Sequence, residues 1–257
     1  MNLGSLGRRV AALALCAVSV ALIGSVANAA YVKVDGLLLR ADGGFTPREL
    51  PRNSFAPIRF QGWASIESTR GGLPPALEHA EVYFDRDGRV LTQGLAVCDP
   101  VQLQGATTPE ARNRCGDAIV GTGFVGGAVP YPSGTVRLRV PLTLFNGPRQ
   151  NGDITVVIHA QAPFPVAETY VVTAPLERLR GGFSYRASID VPPIAGGIGV
   201  LLSANLDIGR SFRFQGRERS YTLARCSDGI LETRGHFLFA NETIIDGAVF
   251  KPCRVLP

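Results

Sequence analysis

The chain has 257 residues, of which 46% are hydrophobic and only 18% are charged, and it contains 30 glycines and 18 prolines. This composition is too apolar for a disordered chain, and the sequence has neither the glycine period of collagen nor the heptads of a coiled coil. The formal net charge of +5 is weaker than nucleic-acid-binding proteins usually carry, so we expect no nucleic-acid partner.

Residues 1–29 have the features of a secretory signal peptide. Arg8 and Arg9 form a positively charged start, residues 10–23 are apolar, and an A-x-A cleavage site leaves a mature chain that begins at Ala30. The apolar stretch is short for a membrane span, so we predict a secreted or extracellular protein with no membrane span after cleavage. A general secretory leader fits best, and the arginine pair leaves twin-arginine export as the alternative.

Residues 99–115 differ from the strand-like pattern of the rest of the chain. Two helix-start signals occur there, at Asp99 and Thr107, each a capping side chain followed closely by proline. Cys98 and Cys115 bracket the segment. We therefore predict a short helical insertion between two strands, held by a disulfide bond.

Residues 121–126 read G-T-G-F-V-G and match the G-x-G-x-x-G motif of dinucleotide sites. Such a site needs a helix directly after the glycines, because the helix N-terminus holds the pyrophosphate. Here residues 129–132 read V-P-Y-P, which would break a helix. We interpret the glycines as strand positions with close neighbours or at a β-bulge, and we predict no cofactor.

Alternation of apolar and polar residues is the dominant pattern after the insertion. It is clearest in residues 135–144, 154–158, 184–191 and 200–208. Side chains alternate between the two faces of a strand, so each segment presents one buried and one wetter face, as antiparallel sheets do. Pro141 cannot donate to a strand ladder, which places its strand at an edge or a bulge.

About a dozen such strands separated by turn signals predict an all-β fold, an antiparallel two-sheet β-sandwich with the helical insertion near residues 99–115. No stretch reads as a clear linker. We therefore predict that residues 30–257 form a single β-sandwich domain. The alternative is two smaller sandwiches that meet near residues 144–153.

The mature chain contains four cysteines: Cys98, Cys115, Cys226 and Cys253. An even number in an exported chain indicates disulfide bonds. Four cysteines can pair in three ways, and we favour the pairs Cys98–Cys115 and Cys226–Cys253 because they close the shortest loops. Since no C-x-x-C spacing occurs and the histidines are isolated, we predict no metal site.

Four segments carry a resemblance to a known family. They are the cysteine-containing segments at residues 98–123, 224–229 and 249–253, and residues 73–77. Together these segments resemble a family of exported proteins from high-GC Gram-positive bacteria for which no activity is known. The resemblance spans most of the mature chain and implies an extracellular, β-rich protein. It implies no catalytic residue and no ligand.

The sequence contains no completed catalytic motif. No G-x-S-x-G nucleophile elbow occurs. His159 and His236 are interpreted as ordinary strand-face residues, and His79 as part of a turn. Acidic residues that are close in sequence fall in turns or at strand ends, where they are usually solvated. We therefore predict no catalytic residue.

These observations lead to an exported, non-catalytic cell-envelope or extracellular protein with a binding or structural role and an unknown ligand. An envelope polysaccharide or protein is the expected kind of partner. Sugar binding would need exposed aromatic rings, for which Trp63, Tyr131 and Tyr170 are the candidates. The alternative is a secreted hydrolase that acts on envelope or extracellular glycans through an unrecognised site.

Overall fold

A computed structural model describes residues 29–164 and 167–256. The predicted signal peptide, except for its last residue, lies outside these ranges, and its cleavage stays a prediction. In the described part of the chain no helix is of the length and apolar character needed to cross a membrane.

The described residues form nineteen strands and one α-helix. In chain order they are β1 (Ala30–Val34), β2 (Leu37–Thr46), β3 (Glu49–Leu50), β4 (Ala56–Pro57), β5 (Arg59–Ser68), β6 (Leu77–Asp85), β7 (Gly88–Val90), α1 (Thr108–Cys115), β8 (Ile119–Tyr131), β9 (Gly134–Asn146), β10 (Ile154–Ala162), β11 (Glu168–Arg178), β12 (Phe183–Asp190), β13 (Val200–Ile208), β14 (Ser211–Phe214), β15 (Arg217–Ser220), β16 (Thr222–Ala224), β17 (Ile230–Phe239), β18 (Ile244–Pro252) and β19 (Arg254–Val255). Three 3-10 turns, Pro100–Leu103, Gly116–Ala118 and Ala195–Gly197, complete the described secondary structure.

Twelve of the strands form one antiparallel sheet, in the order β1-β2-β5-β13-β8-β9-β10-β11-β12-β6-β17-β18. The first strand, β1, lies beside the last, β18, so the sheet is nearly closed and barrel-like. The prediction of antiparallel strands is confirmed, including those over residues 135–144, 184–191 and 200–208. The predicted division into two sandwich layers differs from this arrangement, because the strands are neighbours in a single curved sheet. Residues 144–153 contain the end of β9 and the connection 147–153 to β10, and both strands are neighbours in this sheet.

Glycines in β8 let the sheet curve. A Cβ atom on Gly123 would lie 2.0 Å from the backbone oxygen of Asn205 in β13, and one on Gly121 would lie 2.7 Å from that of Asp207. Only glycine permits two backbones to approach so closely. The G-x-G-x-x-G sequence therefore belongs to a strand, as interpreted, and it brings β8 against β13.

The direction of each strand determines at which end of the sheet the following connection lies. The three longest connections, residues 47–58, 86–118 and 209–229, lie at one end, here called the long-loop end, together with residues 147–153 and 179–182. The opposite, short-loop end carries residues 35–36, 69–76, 132–133, 191–199 and 240–243, and the described residues between β10 and β11, which are 163–164 and 167. The small sheets β4-β16-β7, β14-β15 and β3-β19 are all built from segments at the long-loop end.

The helical insertion lies where the sequence places it. Thr107 and Glu110 form a reciprocal capping box at the start of α1. The disulfide bond Cys98–Cys115 joins the two ends of the segment. Together they cover Phe145 and Val157 on the outer face of the sheet, and both are fully buried.

A second disulfide and a buried ion pair fasten the long-loop end. Cys226 is bonded to Cys253, so both disulfides have the sequence-local pairing. Asp87, which is 0% exposed, accepts hydrogen bonds from Arg225 Nε and from the backbone N–H of Ser227, each at 2.8 Å. Burial acts to raise the pKa of Asp87, but the hydrogen bonds from Ser227 and Arg225 outweigh it and lower that pKa.

Candidate functional site

The nearly closed sheet surrounds an apolar cavity of about 420 Å³. Nearly all of its lining is apolar, and the side chains come from the inward faces of strands on every side of the sheet. Representative lining residues are Leu39, Ala64, Val82, Phe84, Val125, Leu138, Val140, Ile158, Val172, Leu206, Phe237 and Val249. This volume falls in the range of small-molecule sites, which are concave and mostly apolar.

The interior is hollow because small residues are aligned across one wall. Ala41, Ala64 and Ala204 are directly paired on β2, β5 and β13. Gly43 pairs with Gly62 in the next inward-facing row of the same wall. Side chains of this size cannot reach the opposite wall, so space remains where a filled core would place leucine or phenylalanine.

One part of the interior is filled, next to the long-loop end. A cluster of buried side chains packs there around Tyr221: Val120, Leu144, Ile154, Val156, Ala174, Leu176, Tyr185 and Ala187. Burial, with a smaller contribution from neighbouring Tyr185, raises the pKa of Tyr221. The cavity is therefore bounded by packed side chains on this side.

An ion pair crosses the seam beside β1, between β2 and β18. Lys251 of β18 extends to Asp42 of β2, with 2.5 Å between Nζ and Oδ1. Beside it, Gly247 lies against Ala30 and Val32 of β1, close enough that an added Cβ would contact both side chains. The seam is thus closed by one ion pair and by close packing of β1.

The cavity reaches the surface at the short-loop end. Phe164 lines it and is 60% exposed. Two polar side chains of β11 line the same end: Tyr170 donates its hydroxyl proton to Glu168 Oε2 and accepts the backbone N–H of Ala195 at 3.1 Å. Burial first, and then the bond to Glu168, raise the pKa of Tyr170 to about 12. This mouth is the polar end of an otherwise apolar site.

The three aromatic candidates for sugar binding do not share a surface. Trp63 lies on the outer face of β5 and is 42% exposed. Tyr131 is half-buried at the end of β8. Tyr170 lines the cavity, and Trp63 also contributes to the lining, although strand alternation turns its side chain outward. Two of the three candidates, Trp63 and Tyr170, therefore belong to the lining of the cavity rather than to a sugar-binding surface.

The three histidines occupy different surroundings. His159 lies on the outer face of β10, as interpreted, but the insertion buries it completely and its Nε2 donates to the carbonyl oxygen of Ala106 at 2.9 Å. His236 is on an outer strand face, where its Nδ1 lies 2.7 Å from Asp246. His79 belongs to β6 rather than to a turn.

His79 takes part in an arrangement that sequence reasoning missed. Its Nδ1 lies 2.7 Å from Asp190 Oδ1, and its Nε2 lies 3.4 Å from Ser188 Oγ. This is the order of contacts in a Ser-His-Asp triad. The Asp190 side chain is 94% exposed, however, and Ser188 lies within a strand on an open face rather than in a cleft.

Among residues 29–164 and 167–256, no group of three or more histidines, cysteines and acids is placed to hold a metal ion. The fold and the site together place the described chain in a structural class, that of antiparallel, nearly closed sheets with a hollow apolar interior. Comparisons with family models, with curated proteins and with solved structures found no match to this chain.

Proposed function

We propose that this chain is an exported binding protein that holds an apolar or amphiphilic small molecule in its cavity. The observation that carries the proposal is the apolar space of about 420 Å³ inside the sheet. This keeps the non-catalytic binding role expected from the sequence and gives it an internal site. The two disulfide bonds support an oxidising, extracellular or cell-envelope location.

The lining can provide useful affinity without specific polar contacts. Each buried methylene group contributes about 0.8 kcal/mol, so a ten-carbon chain gains about 8 kcal/mol before the cost of association. The loss of translational and rotational freedom opposes this by roughly 4 kcal/mol or more. A chain held only by these walls is then expected to bind at about millimolar strength, and polar contacts at the mouth would tighten it.

The test uses the mature chain beginning at Ala30 and the neutral fluorophore N-phenyl-1-naphthylamine. The proposal expects blue-shifted, enhanced emission that saturates at one fluorophore per chain and is reversed by a long-chain alcohol. Emission that does not saturate, or that survives the competitor, contradicts an internal site. An envelope polysaccharide or protein partner would act on the outer surface, and pull-downs with each would test that separate role.

A secreted hydrolase is the second candidate, and Ser188 with His79 and Asp190 is the observation that favours it. In such a reaction Ser188 Oγ would attack an ester carbonyl while His79 accepts its proton and returns it to the leaving alcohol. The exposed aspartate and open strand face make this the weaker candidate. Release of p-nitrophenol from p-nitrophenyl acetate that disappears in Ser188→Ala would establish it, and equal release by both proteins would reject it.

A further inference from the structure

The mouth of the cavity contains a carboxylate where an apolar ligand needs none. Glu168 and Tyr170 are two residues apart on β11 and so face the same side, toward the interior. Charged side chains on the inward face of a sheet are rare unless they are paired. The carboxylate of Glu168 is therefore expected to have hydrogen-bonding partners.

Tyr170 holds the carboxylate of Glu168 in place. The tyrosine hydroxyl donates a hydrogen bond to Glu168 Oε2. It accepts a hydrogen bond from the backbone N–H of Ala195, which belongs to the connection 191–199. The tyrosine hydroxyl is protonated at neutral pH, and its pKa, raised to about 12, extends this to strongly alkaline conditions. One hydrogen bond occupies only part of the accepting capacity of a carboxylate, which has about four lone-pair positions.

The other charged groups around the cavity are engaged differently. Lys251 is paired with Asp42 at the seam. Asp85 accepts the backbone N–H groups of Asp87 and Glu232, at 2.9 and 2.8 Å. Glu232 is bonded to Arg234. Asp190 also lines the cavity at the short-loop end, but its side chain is 94% exposed and lies 2.7 Å from Nδ1 of His79. Glu168 is thus the half-buried lining carboxylate at the mouth, and it keeps accepting capacity in reserve.

We infer that the ligand is an amphiphile with an apolar chain and a terminal hydrogen-bond donor, a hydroxyl or an amine, which binds Glu168. The chain extends from the mouth along the apolar walls, and the donor group stays beside the carboxylate. A fatty acid is disfavoured because its carboxylate would be repelled by the carboxylate of Glu168. This inference rests on the proposed binding function.

The experiment compares decanol, decylamine and decanoic acid as competitors of N-phenyl-1-naphthylamine at neutral pH. For the wild-type protein, the alcohol and the amine should bind about ten-fold more tightly than the acid, as expected for a hydrogen bond to a charged group. In Glu168→Gln this preference should fall to within about three-fold. Glu177→Gln, at the far end of the same strand and outside the cavity lining, should keep the preference of the wild type.

Two results overturn the inference. The first is a preference for the amine and the alcohol that persists unchanged in Glu168→Gln. The second is tighter binding of the acid, and loss of that binding in Lys251→Met would then assign the polar contact to the seam. Failure of the proposed function looks different, because the fluorophore itself would not bind at a saturable site.

Discussion

A large side chain introduced on the wall of the cavity tests whether the interior of the sheet is hollow or packed. The perturbation is Ala64→Phe, which adds a phenyl ring to the row of small residues on β2, β5 and β13. A space of about 150 Å³ holds a benzene molecule, so the ring takes up about a third of the 420 Å³ cavity. A ten-carbon chain that loses a third of its space loses about three buried methylene groups at about 0.8 kcal/mol each.

That loss of about 2.4 kcal/mol corresponds to roughly fifty-fold weaker binding. The unfolding free energy should stay unchanged or rise by up to about 2 kcal/mol, because the ring is buried in empty space. The matched control is Ala174→Phe, whose site is 3% exposed in the packed cluster. It should lower the unfolding free energy by roughly 1–3 kcal/mol through overpacking.

Fluorophore titration and urea unfolding of the two variants provide the assay. Equal destabilisation by the two substitutions would refute the hollow interior. Unchanged fluorophore binding in Ala64→Phe would show that the fluorophore occupies another place.

Three further predictions concern the fold. Gly123→Ala should lower the unfolding free energy by about 3 kcal/mol, because its Cβ would meet β13 backbone; a gain in urea midpoint would contradict the curvature argument. Replacing Cys226 and Cys253 by alanine should cost about 3–4 kcal/mol, from the 27-residue separation they close, and an unchanged thermal midpoint would argue against the bond. Asp87→Ala should cost about 3 kcal/mol at neutral pH, against less than about 1 kcal/mol for the exposed Glu67→Ala. Because its folded-state pKa is lowered, Asp87 stabilises the fold above the unfolded-state pKa, and this contribution disappears as the pH falls through the folded-state value; a pH-independent difference would contradict the pairing.

Local signals made much of the fold predictable. The period-2 pattern of residues 135–144 and 200–208 depends only on which side chains share a face of a strand. It predicted both strands correctly. The start of the insertion was equally readable, because the Thr107 capping box depends on neighbouring residues. The same alternation arises in a sandwich and in a closed sheet, so periodicity could not distinguish them.

The candidate site depends on register, which one sequence does not reveal. Ala41, Ala64 and Ala204 are far apart along the chain and meet only because β5 lies between β2 and β13. The same holds for His79 and Ser188, on β6 and β12, which pair although they are distant in sequence. Small inward residues in several strands were the signal that could have pointed to a cavity.

Crystals of the mature protein equilibrated with xenon test the hollow interior most directly, because xenon enters dry apolar cavities and scatters strongly. The account expects xenon inside the sheet, between Ala64 on one wall and Ile158 on the other. A sheet whose interior holds only protein side chains, or ordered water in hydrogen-bonded positions, would contradict it.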